Sequence, residues 1–247
     1  MRYEFILLST VFTPLIGAFI LPLIGKIYPR LRNLLAFCFI FAAFILSLSM
    51  ISVVLSGKTI LINKELAMGF NFSFSADILA VFMACMSSLV STIIILYSFG
   101  YISHYENQNE YYSMVVLFLG AMMGLVFSAN LILLYVFWEI TAITSWRLIG
   151  FFREKNHVFR ADKAFLVTVF GAVLMLIGFI SIYQQTGSFE LGIIKESVKI
   201  SPISNLAIAL ILVGILSKSA TLPLHTWLPD AGVAPSPVTA LDRKSVV

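Results

Sequence analysis

The chain has 247 residues, of which 60% are hydrophobic and only 11% charged. A water-soluble domain averages roughly 45–50% apolar and about 25% charged, so composition and a mean hydropathy of +1.00 exclude an ordinary soluble fold as the expectation. The formal net charge of +4 is spread over short loops, with no basic run and no RNA or DNA motif, and implies no nucleic-acid partner.

Bilayer-spanning helices need about 20 mostly apolar residues, and six or seven stretches qualify. In chain order they are residues 5–24, 34–55, 77–101, 112–128, 131–152, 164–183 and 203–222. A polar stretch, residues 56–75, separates the second from the third. The first is too long and too weakly basic at its start for a signal peptide, and no A-x-A-like site follows it. Pro223, Pro229, Pro235 and Pro237 crowd the end of the seventh span, and proline removes a backbone donor and clashes with the preceding turn, so this span is expected to break. The expected fold is an all-α integral membrane protein of about seven transmembrane helices, the seventh broken at prolines.

Orientation follows Lys and Arg in short loops. With the N-terminus outside, the inner loops hold Lys26, Arg30, Arg32, Arg153, Lys155, Arg160 and Lys163; the outer segments hold Arg2, Lys58, Lys64, Lys195 and Lys199. The excess favours this orientation, in a plasma (inner) membrane. Gly120 and Gly124 form a GxxxG in the fourth span, a spacing that permits close helix approach. Cys38 and Cys85 lie inside apolar runs without CxxC or metal-ligand spacing and read as small buried hydrophobes. No nucleotide-binding loop and no haem, zinc or iron–sulfur signature is present in the sequence, so no cofactor is expected.

Charge near the bilayer centre costs roughly 2.5 to 3.5 kcal/mol even on insertion scales. Glu139 lies about eight residues inside its span, roughly 12 Å at 1.5 Å per residue, too deep for a short side chain to reach water. It reads either as a protonated carboxyl bonded to a neighbouring helix or as a titrating carboxyl on an ion path. Lys218 reads as a snorkelling helix-end lysine or, beside the proline break, as a lysine lining a hydrated cavity. Arg147 stands two turns after Glu139, roughly 80° round the helix, and pairs loosely with it or reaches the inner surface. Asp77 opens the third span and is explained by capping or by a place on the path. His225 reads as a relay or a structural hydrogen-bonder, and Lys163 as the inner end of the sixth span or a path residue.

Two segments carry a family resemblance. FWEITAITSWRLIGFF, residues 137–152, resembles the fifth-helix motif of antiporter-like membrane subunits. KSATLPLHTWLPDA, residues 218–231, is similar to their broken seventh helix. This family includes chain 5 (L) type subunits of NADH:quinone oxidoreductase, large subunits of Mrp-type sodium/proton antiporters, and membrane-bound hydrogenase subunits. SADILAVFMACMSSLVSTIIILYSFGYISHY resembles the third helix and its loop, so the likeness covers about residues 74–241.

The resemblance implies about fourteen helices with two inverted repeats, of which this chain would hold an incomplete first repeat. Residues 1–73 would precede the core, and 242–247 would be a non-native tail. It implies that Glu139 and Lys218 carry protons, with Lys163, His225, Asp230 and Asp77 as further path residues. The partners implied are other membrane subunits, the lipid bilayer, H+ and Na+, with no redox site on this chain. A structural docking subunit and a solute carrier working alone are the competing readings. Two departures stand out: Val169, Phe170, Gly171 and Ala172 replace an Arg-x-Gly-Asp-like pattern, and Arg147 replaces an apolar residue.

Overall fold

The computed structural model describes residues 2–65 and 71–244. It is nearly all helical. Among the described residues, six helices are long and apolar enough to cross a bilayer: α1 (Arg2–Gly25), α2 (Pro29–Leu55), α3 (Ile78–Tyr101), α4 (Gln108–Phe127), α5 (Leu131–Ile149) and α6 (Lys155–Thr186). The polar stretch after α2 forms an antiparallel hairpin of β1 (Ile60–Glu65) and β2 (Asn71–Ala76), in register from Ile60 opposite Ala76 to Glu65 opposite Asn71. Then come the short α7 (Leu191–Val198), the 14-residue α8 (Asn205–Lys218), α9 (Trp227–Asp230) and α10 (Ser236–Lys244).

Local chemistry sets the boundaries. Pro29 stands at the first turn of α2, where its missing N–H is no loss. Asp77 caps α3 by accepting from the Ala80 N–H at 2.7 Å, and the Asn130 side chain accepts from Ile132 and Leu133 at the start of α5. Gly187, at φ 71°, ends α6 in the left-handed conformation that glycine adopts without strain.

Consecutive long helices run antiparallel, so the bundle has two ends. At one, Ser73, residues 129–131 and residues 189–191 share backbone bonds: Ala129 N–H donates to the Ser73 carbonyl, Leu131 N–H to that of Phe189, and Leu191 N–H to that of Ala129. This is the hairpin end. The other holds Arg32, whose guanidinium donates to Gln108 at 2.8 Å and to Asn109, and stacks over the Tyr112 ring at 4.8 Å. This is the basic end. Between them, Tyr111, Phe118 and Phe127 of α4 are fully buried.

Three differences from the sequence reading have physical causes. Helix α6 begins at Lys155 rather than near 164, because the charged turns carrying Arg160, Asp162 and Lys163 continue the helix out of its apolar span. Helix α8 stops at Lys218 rather than near 222. Cys38 is exposed on α2 while Cys85 is buried; an outward face of a membrane helix accepts a small apolar side chain as readily as the core does. The glycines of the GxxxG serve two neighbours, Gly120 lying against Leu15 of α1 and Gly124 against the ring of Phe137 on α5. The expectation for residues 242–247 falls partly on 245–247, outside the described residues.

Candidate functional site

Helices α6 and α8 pack at close range because glycines remove the side chains between them. A Cβ at Gly171 would collide with Ser217, one at Gly178 with Ile211, and one at Gly214 with Met175. This explains Gly171 and Ala172 in place of a charged pattern: Ala172 is 1% exposed, and no long polar side chain fits. The close fit fixes Lys218, the last residue of α8, against the middle of α6.

The break after Lys218 has a defined stop. Ser219 ends the helix, Ala220 adopts a left-handed φ of 50°, and the Thr221 N–H reaches back to the Leu216 carbonyl at 3.0 Å. That bond pattern is a Schellman motif with alanine where glycine is usual. The Ser217 carbonyl, orphaned by the break, accepts instead from the Trp227 indole at 2.9 Å. Trp227 is 3% exposed, so the tryptophan of the HTW segment folds back as the cap of the broken helix.

Glu139 faces this place from α5. Lys218 lies within electrostatic reach of its carboxyl, and the Tyr135 hydroxyl, one turn earlier on α5, engages it. Glu139 is half-buried, and its Oε1 is buried without a hydrogen-bond partner among the described residues, as is Trp138 Nε1 beside it. A buried carboxyl oxygen left unsatisfied is costly, and such atoms gather where a site does chemistry rather than packing. Lys218 also lines a cavity of about 10 Å³ with Ser145, Trp146, Thr168 and Trp227, room for about one water.

Lys163 and Asp230 meet directly: Lys163 Nζ lies 2.6 Å from Asp230 Oδ2 and 3.3 Å from the Thr226 carbonyl. The clasp ties α9 to α6 at the basic end. The Lys163 hydrogen bond holds the Asp230 carboxyl below the ordinary carboxylate range, aided by the Lys163 and Arg160 charges and opposed by burial. His225 sits exposed in the turn before α9. Asp77 is apart from these groups, at the hairpin end, where capping α3 accounts for it.

Arg147 does not pair with Glu139. Its guanidinium bonds Glu110 of α4 at 2.5–2.6 Å, and the same carboxylate takes Arg153 at 2.6 Å. Glu110 was not singled out from the sequence. Its partners lie 37 and 43 residues away, and nothing local marks it.

Two family descriptions match the chain. Residues 128–243 match "NADH:quinone oxidoreductase/Mrp antiporter, TM", and residues 65–112 match "NADH-Ubiquinone oxidoreductase (complex I), chain 5 N-terminus". The chain belongs to the antiporter-like membrane subunit family. Among its relatives, a Na(+)/H(+) antiporter subunit A1 of Staphylococcus haemolyticus is 37% identical over 237 residues, covering 93% of this chain and 30% of that protein. The Staphylococcus aureus subunit A1 is 35% identical over the same shares. The antiporter-like chain therefore spans about 30% of the length of these relatives. Among solved structures, the Mrp complex from Dietzia sp. DQ12-45-1b aligns with a TM-score of 0.83 at 25% identity, over 98% of this chain and 26% of that one. An archaeal membrane-bound sulfane sulfur reductase shares the fold, with a TM-score of 0.86 at 24% identity over 94% and 49%.

Proposed function

We propose that this chain forms part of a proton- or sodium/proton-translocating membrane subunit, in which Glu139 and Lys218 carry the ion path and other membrane subunits complete the machine. The observation that carries this reading is a carboxyl and an ammonium brought within electrostatic reach on two helices inside an apolar bundle, the ammonium standing at the end of a broken helix. A carboxylate beside an ammonium holds its proton in place; drawing the carboxylate away leaves the cation poorly solvated and favours release of that proton. Irregular backbone at membrane depth is tolerated only against protein or a water-lined space, and here Trp227 packs against the break and bonds the Ser217 carbonyl. The similarity to antiporter subunits and to an Mrp complex favours exchange of H+ against Na+ over transport of a larger solute. The basic end faces the cytoplasm in this reading, with the chain in the plasma membrane.

The test is Glu139→Gln and Lys218→Ala in the full-length protein within its complex, reconstituted in vesicles. Both variants are expected to assemble and to lose nearly all coupled ion flux. Flux at the parental rate in either assembled variant overturns the assignment.

A further inference from the structure

The residues around Trp146 point to a proton-collecting group that the path described above does not include. Asp162 lies on α6 at the basic end, half-buried. Its Oδ1 accepts from the Trp146 indole N–H at 2.8 Å. The Trp146 ring lies over Phe165 with centroids 5.3 Å apart, and the same ring walls the cavity that holds Lys218, Ser145 and Thr168. One side chain therefore touches both the rim carboxyl and the cavity beside Lys218.

The neighbouring rim carboxylates are committed elsewhere. Glu110 is held by Arg147 and Arg153, and Asp230 by Lys163. Asp162 has instead a neutral N–H donor and stands at the rim half-buried. Phe165 and Thr168 follow it on α6 towards the cavity, Thr168 roughly 9 Å further along the axis at 1.5 Å per residue.

We propose that Asp162 collects protons at the basic end and feeds the cavity beside Lys218, with the Trp146 ring as the movable wall between the two. This rests on Lys218 being a proton carrier. The carboxylate takes a proton from hydronium or a buffer acid at the rim; the Trp146 ring turns away, breaking the indole bond; the proton passes by way of water in the cavity, flanked by the Ser145 and Thr168 hydroxyls, to the neutral Lys218 amine. The carboxylate is regenerated and an ammonium is formed, so charge and protons balance. Arg147, whose guanidinium lies 5.4 Å from the Trp146 ring centre, is itself anchored on Glu110.

The experiment uses the full-length protein in its complex, in vesicles, with proton flux read by an entrapped pH dye. A membrane-impermeant buffer, MES, is varied on the basic-end side. Asp162→Asn is expected to slow flux at least about tenfold at low buffer, the order of loss for a missing proton-transfer group. Its rate should climb with MES concentration, while the parental rate does not. Asp162→Glu should restore flux, while Asp162→Asn keeps an amide oxygen that can accept from the Trp146 indole, so its loss reads the proton and not the hydrogen bond. Parental flux in Asp162→Asn overturns the proposal. So does a loss that MES does not relieve, since that pattern belongs to a purely structural role of the side chain. Lys218→Ala, run in parallel, separates the two levels. If it abolishes flux while Asp162→Asn is normal, only the collecting role falls; if it transports normally, the underlying reading falls with it.

Discussion

At the residue scale, the break in α8 is a strained stop as well as an open end. Ala220 holds a left-handed φ of 50°, a conformation that costs an L-residue roughly 1–2 kcal/mol. Ala220→Gly is therefore expected to stabilise the purified protein by about 1 kcal/mol, read as a rise in thermal midpoint in detergent; a fall would mean the methyl group has a packing role that outweighs the strain. The clasp across the break has a pH signature with a definite sign. The Asp230 carboxyl is held below its ordinary value of 3.8, so its stabilising contribution is complete above that value and is lost as pH falls through the lowered one. The stability gap between the parental protein and Asp230→Asn should stay constant from neutral pH down to about 5 and close only below about 4. A gap that closes near neutrality would refute the pairing. Glu139 and Lys218 were legible in the sequence because a charge in an apolar run stands out against its neighbours. Glu110 and the Trp146–Asp162 bond were not, because they depend on which helix ends meet, and that is tertiary information.

At the element scale, the contact between α6 and α8 positions Lys218. Hydropathy alone placed both helices and missed two of their ends. The first turns of α6 are charged and look like a loop, while α8 stops inside an apolar run because a backbone motif, not a polar residue, ends it. The hairpin was missed for a different reason: residues 56–75 read as a polar connection, although Phe72 and Phe74 alternate with Asn71, Ser73 and Ser75 as in a strand, and the pairing of Ile60–Glu65 with Asn71–Ala76 rests on backbone bonds. Its place is fixed by Ser73, whose hydroxyl reaches the Glu190 carboxylate as well as Asn63 at 3.2 Å. The glycines of the α6–α8 contact give the sharpest prediction at this scale. Gly171→Val places branched carbon atoms where Ser217 already sits, and forcing extra volume into a tight contact costs about 1–3 kcal/mol. The helices must part, carrying Lys218 away from Glu139, so flux should fall together with thermal stability. Gly192→Ala, at a glycine with open space around its Cβ position, serves as the control and should change neither. Loss of stability with normal flux would show that the carboxyl and ammonium tolerate separation.

At the scale of the whole molecule, the two ends differ in chemistry, and under the proposed function that difference decides which side loads protons. The hairpin end is closed by backbone pairing between distant segments, with Lys58 and Lys195 exposed at its edge. The basic end is closed by side chains: Arg32 among amides, Glu110 between Arg147 and Arg153, Trp146 on Asp162, and Lys163 on Asp230. The Glu110 pairs are about a third exposed, and pairs of that kind contribute about 0–1 kcal/mol each, so their use lies in placement more than in stability. Collecting cations at one end follows the bias that retains Lys and Arg on the cytoplasmic side; in the proposed orientation the Asp162 carboxyl and the Trp146 wall face the cytoplasm and the hairpin the opposite side. Single cysteines test this directly. In a background with Cys38 and Cys85 replaced by alanine, Lys58→Cys should react with a membrane-impermeant maleimide added to intact cells, and Lys26→Cys should react only after the membrane is opened. The reverse pattern would invert the bundle. The proton-collecting carboxyl would then face the outside, and the exchange would have to load its protons from the opposite compartment.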